Sequence, residues 1–152
     1  MLGGTTAAFG GGRRIALPLD PEARNYSRAG LQFLDDAKFM FERGSRTRSA
    51  VYLAGYTVEC MLKALILSSV PPRTSFKLSS LRALHTHDFD KLKALYLSYG
   101  GPAFPKDIAR DFLAIGGWDT QVRYQPSNPK YDHAAKFLQA VERIAAWADG
   151  RL

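Results

Sequence analysis

The sequence is short of cysteine, histidine, acidic residues and uninterrupted apolar stretches, and each shortage narrows what the chain can do. A single cysteine, Cys60, leaves no internal disulfide and no zinc site built from several thiolates. It reads as a small buried hydrophobe in a reducing, cytoplasmic setting. The three histidines, His85, His87 and His133, include a His-x-His pair. No close carboxylate pair completes a metal site around them, so no metal or other cofactor is expected. The most apolar stretch, residues 50–67, is interrupted by Glu59 and Lys63. Two charges near the centre of so short a segment are costly in lipid, and no membrane span is expected. The glycine-rich start carries Arg13 and Arg14 with no apolar block behind them, so it does not read as a signal peptide. Acids are outnumbered, 14 Asp+Glu against 21 Lys+Arg, which gives a formal net charge of +7. That balance favours polyanionic partners and says nothing about fold.

What is present points to one helical domain. The 152 residues suit a single domain, and 46% hydrophobic with 23% charged residues excludes wholesale disorder. Residues 1–19 read as a flexible Gly-rich lead and 20–149 as the folded body. Asp20-Pro21-Glu22 has the order of an N-cap, a first helical proline and a first-turn acid. Apolar residues then recur at Tyr26, Leu31, Leu34, Phe39 and Met40, and the helix should end near Gly44. Ser45 or Thr47 is expected to cap a second helix reaching about Ser69. Its apolar positions nearly encircle it, so it should be the most buried. Pro71 and Pro72 end it, and 73–86 form a connector with a short turn around 78–84.

A third helix is predicted from Asp88 to Gly100, with Phe89, Leu92, Leu95 and Tyr96 buried. A fourth is predicted from Pro105 to Ile115, with Ile108, Phe112 and Leu113 inward, and a last one from Asp132 to Asp149. Between these last two lies a structured loop carrying Trp118, Arg123 and Tyr124. No strand pair or internal repeat emerges. The fold class is therefore all-α, an up-and-down antiparallel bundle of four to five helices.

Four stretches resemble the HEPN family, in order. Residues 50–66, Ala-Val-Tyr-Leu-Ala-Gly-Tyr-Thr-Val-Glu-Cys-Met-Leu-Lys-Ala-Leu-Ile, resemble the family's second helix, with a central Glu and a Lys four residues on. His87-Asp88-Phe89 with Leu92 resembles its His-Asp-Leu opening of the third helix, and Trp118…Arg123-Tyr124 its Trp…Arg-Tyr loop. Residues 134–147 resemble its closing amphipathic helix. The resemblance implies a helical bundle that commonly forms a homodimer. It also implies links to nucleotide or RNA binding, RNA cleavage, or pairing with a small nucleotidyltransferase in a toxin–antitoxin system.

The chemistry-bearing residues follow from that frame. A metal-independent ribonuclease needs a group near neutral pKa and a cation on the phosphate. Many family nucleases provide these as an Arg, four to six residues, then a His. Arg82 and His87 match that spacing as the catalytic candidates, although the family's motif usually lies nearer the last helix. The Arg123–His133 pair has nine residues between, too many for the motif. His87 and Asp88 have a second reading, a helix cap plus a hydrogen bond to a neighbouring helix.

Glu59 and Lys63, four apart with the acid first, either pair with each other at the rim or lie in a buried polar network. In the second case Arg123 is the expected partner of Glu59. Trp118, Arg123 and Tyr124, with Lys63, are the ligand-binding candidates, the two rings and Tyr131 stacking a base and Arg123 holding phosphate. Trp118 is otherwise simple core closure. Arg43, Arg46 and Arg48 at the first turn, and Arg73, Lys77 and Arg82 in the connector, are either solvated turns or a phosphate-binding surface. Three functions follow: a nucleotide- or RNA-binding domain that partners a nucleotidyltransferase, a ribonuclease toxin, or a non-catalytic protein-interaction module.

Overall fold

A computed structural model describes residues 20–70 and 80–152. The Gly-rich lead and the two prolines after the second helix lie outside those residues. Five α-helices run α1 (Pro21–Glu42), α2 (Thr47–Ser68), α3 (Phe89–Ser98), α4 (Lys106–Ala114) and α5 (Tyr131–Asp149). Two 3-10 turns, Arg82–Leu84 and Thr120–Tyr124, interrupt the loops, and no strand occurs among the described residues. The helices form an up-and-down bundle in which α2 packs on α1, α3, α5 and the second 3-10 turn.

Local chemistry sets the helix ends. The Asp20 carboxylate accepts hydrogen bonds from the N–H groups of Glu22 and Ala23 at 3.0 and 3.2 Å, satisfying two donors left open by the first turn. Asp88 does the same for Asp90 and Lys91 at 2.9 and 3.1 Å. Gly100, with φ at +90°, takes the left-handed conformation that stops α3. The α1–α2 turn departs from expectation. Neither Ser45 nor Thr47 caps α2; Arg46 holds that position without a side-chain cap bond, and Ser45 turns the chain with φ at 50°.

α2 is the axis of the core. By length and composition it could cross a membrane, yet 83% of its most apolar window is buried inside the bundle. Val58, Met61, Leu62, Ile66 and Leu67 are fully enclosed, in one core cluster with Leu92, Ile115, Val141 and Ile144 from the other elements. The outer helices are less apolar, and two sequence expectations fail there. Leu113 of α4 points to solvent at 82% exposure and Phe39 of α1 at 64%. In α4 the inward position is Asp111 instead, a buried carboxylate gripped by two nitrogens of Arg143 from α5 at 2.8–3.1 Å. That fork-on-carboxylate geometry lets an acid sit where an apolar residue was expected.

Candidate functional site

The acid in α2 is the first element of the site. Glu59 is buried, and each carboxylate oxygen has a partner: Lys63 Nζ at 2.6 Å and His87 Nδ1 at 2.7 Å. Lys63 is as enclosed as Glu59, so the pair is no rim contact. Two charges held in a poorly solvated place interact strongly, and each would be costly alone. The buried-network reading of Glu59 is therefore the observed one, but its second cation is not Arg123. His87 takes that place because Asp88 caps α3, which fixes the preceding residue against α2. Lys63, predicted to bind ligand, spends its ammonium on Glu59. Asp88 holds its expected cap.

With Glu59 ionised, His87 donates through Nδ1, which leaves Nε2 as the second ring nitrogen. The His87 side chain remains 55% exposed, so only its inner edge is engaged. It lines a cleft of about 570 Å³ together with Trp118, Asp88, Asp90 and Asp119.

The loop after α4 is fastened to α2 by Trp118. Its indole N–H donates to the Val51 carbonyl at 3.0 Å, its ring stacks on Phe89 at 5.1 Å, and Tyr56 meets it edge-on. Gly55 makes this approach possible, since a Cβ there would lie 1.8 Å from the indole. Trp118 is thus buried at 7% exposure and closes the core. It is not an open stacking platform, because its N–H is used and Phe89 covers one face.

Beyond that anchor the 3-10 turn presents Arg123 and Tyr124 at the surface. The Arg123 guanidinium donates to Tyr52 Oη at 3.2 Å and lies 4.7 Å over the Tyr124 ring, whose residue is 66% exposed. The hydrogen bond to Tyr52 holds the Arg123 pKa above its ordinary value. Tyr52 and Tyr56 share a hydroxyl–hydroxyl bond of 3.0 Å, and Tyr56 meets the His87 ring edge-on at 5.8 Å. Burial, with help from the Tyr52 hydrogen bond, pushes the Tyr56 phenol up to about 12, so it stays neutral. Arg48 donates to the Gln125 carbonyl at 2.8 Å and closes the other end.

A line of contacts therefore runs from Arg123 through Tyr52 and Tyr56 to His87 and Glu59. Tyr52 and Tyr56 were not singled out from sequence. The four-residue spacing of Arg48, Tyr52 and Tyr56 along one helix face was the signal that marks them.

Arg82 does not join this line. It stands on the first 3-10 turn and lines a different groove, with His85 and Lys91, while His87 turns inward to Glu59. The spacing that suggested a catalytic pair is met in sequence, but the two side chains line separate cavities. His133 lines a third cavity, beside Pro129 and Phe137. Among the described residues no three His, Cys, Asp or Glu side chains converge as metal ligands.

Fold and site together define a helical-bundle domain with a buried acid clamped between two cationic or proton-bearing groups. A family model for the HEPN domain matches residues 23–151, and the chain belongs to the HEPN family. That membership ties the domain to nucleotide- and RNA-related function. A search of curated proteins and a search of solved structures each returned no match.

Proposed function

We propose that this HEPN domain binds nucleotide or RNA across the face formed by Arg123, Tyr124, Tyr52 and Arg48. The observation that carries this reading is the state of Arg123. Its guanidinium is exposed and has tyrosines as its neighbours, with no carboxylate paired to it among the described residues. A cation without an acid counterpart, beside an exposed ring, suits a phosphate together with a stacked base. The formal net charge of +7 favours the same class of ligand. Association as a homodimer, and pairing with a small nucleotidyltransferase in a toxin–antitoxin arrangement in the cytoplasm, belong to the same proposal and rest on the family relationship.

The test is binding of a short single-stranded RNA at several salt concentrations. Arg123→Ala and Tyr124→Ala should each weaken binding by roughly tenfold, and only Arg123→Ala should flatten the salt dependence. Salt-independent or unchanged binding in both variants would remove this face from consideration.

A ribonuclease reading is favoured by one feature, the Glu59–His87 pair. A carboxylate that orients a half-exposed imidazole through one ring nitrogen is an arrangement that suits a general base. Arg82 in a separate groove weighs against the Arg82–His87 form of it. Incubating RNA with the wild type, His87→Ala and Arg82→Ala decides the matter: loss of cleavage in His87→Ala alone would support a nuclease centred on His87.

A further inference from the structure

The groove that holds Arg82 has a chemistry of its own. It runs between the first 3-10 turn and α3, with a volume of about 610 Å³. Arg82, His85 and Lys91 supply its polar edge, and Ala83, Ala94 and Leu95 its apolar wall. No carboxylate lines it among the described residues. Among the described residues Arg82 and Lys91 make no ion pair, whereas Lys93, two residues on, is bound to Asp90 at 3.0 Å. Of the hydroxyls in the groove, Ser98 Oγ donates to the Leu95 carbonyl at 2.8 Å, whereas Thr86 Oγ1 accepts from the Asp88 N–H at 3.2 Å and keeps its own proton to donate. The cleft on the other side of α3 leans the opposite way, with Asp88, Asp90 and Asp119 in its lining against Lys93 and His87. α3 therefore separates a cavity richer in acids from a cation-lined one.

A solvated turn scatters its charges outward, but here two permanent cations and an imidazole border one concave apolar wall. Bringing such cations around a hollow raises the local potential unless an anion fills it. Arg offers a planar fork for two oxygens and Lys a compact charge, a combination that matches a multi-oxygen dianion better than a single carboxylate. The size lies in the range of small-molecule pockets. We infer that this groove is a second anion site, holding a phosphate or diphosphate group between Arg82 and Lys91 with the attached organic body against Ala94 and Leu95. It is separate from the Arg123 face and does not depend on that face binding RNA.

The probe is pyrophosphate, titrated into the full chain at low salt and followed by calorimetry and amide chemical shifts. A saturable site is expected with shifts centred on residues 82–98, distinct from any shifts around Arg123. Arg82→Ala and Lys91→Ala should each weaken it by roughly tenfold, about the loss of one charge-assisted contact. Arg123→Ala should leave it unchanged, so failure here and failure of the Arg123 reading are distinguishable. Far-ultraviolet circular dichroism establishes that each variant keeps its helices, and Lys91→Gln serves if Lys91→Ala does not. Displacement of pyrophosphate by ATP assigns the site to free nucleotides. Displacement by a short RNA but not by ATP assigns it to the RNA backbone. Absence of saturable binding, binding that survives the double Arg82→Ala/Lys91→Ala change, equal loss in Arg123→Ala, or displacement by neither competitor would overturn the inference.

Discussion

Gly55 lies directly under the Trp118 indole, so close that a methyl group at its position would sit 1.8 Å from Cε2 of the ring. Moving the ring would cost its other contacts, because Phe89 stacks on it and Val51 holds its N–H. Gly55→Ala should therefore destabilise the domain by roughly 3 kcal/mol, well beyond the small gain alanine brings to a helix interior. A urea denaturation series measures it. Combining Gly55→Ala with Trp118→Val should recover part of the loss, because the two changes share one volume. Strictly additive losses would show that the close approach is not what makes alanine costly.

The Glu59–Lys63 pair gives a second expectation. Glu59→Ala leaves the Lys63 ammonium enclosed without its acid and should cost roughly 3–5 kcal/mol. Replacing both by leucine should regain most of that, since the apolar pair has no charge to strand. Removing His87 alone should cost far less, about 1 kcal/mol, because its side chain is half in water. Denaturation midpoints of the three variants provide the comparison, and a double variant as unstable as Glu59→Ala would contradict it.

Alkaline pH offers a third. Burial pushes the Cys60 thiol from 9.0 up to about 11. The unfolded chain then loses its thiol proton first, so the folded state retains more protons and stability falls as pH rises from about 9 to about 11. Tyr56, pushed from 10.0 up to about 12, and Tyr96, also raised by burial, extend the decline to higher pH. Melting temperature followed from pH 7 upward should begin to drop near pH 9. In Cys60→Ala the drop should begin about one unit later, at the tyrosines. At neutral pH the native thiol should react with a thiol reagent only through opening of the fold.

Much of the fold was legible because helix ends are written locally. Asp20-Pro21, Asp88 and Gly100 act through contacts within a few residues, and their elements begin and end within one or two residues of expectation. Facing was less legible. Leu113 and Phe39 are apolar yet exposed, and Asp111 is acidic yet buried. For Asp111 the outcome depends on Arg143 of α5, far along the chain. The same limit shaped the reading of the site. A lone acid in an apolar helix announces a buried cluster, but nothing in the spacing distinguishes His87 from Arg123 as its second partner. That choice is made in three dimensions, where the cap at Asp88 brings His87 to α2 while Tyr52 intercepts Arg123.

The tie between the Trp118 indole and the Val51 carbonyl also bears on how tightly anything can be held farther along that loop. Arg123 stands five residues past the anchor, and the intervening Val122 is itself buried. The guanidinium is thus mounted on backbone tethered to α2 just upstream, and a tethered loop has less backbone entropy to lose on the association proposed for this face. Damage beneath the indole would release that freedom and, for the RNA binding proposed at this face, weaken affinity although none of the proposed contact residues had changed.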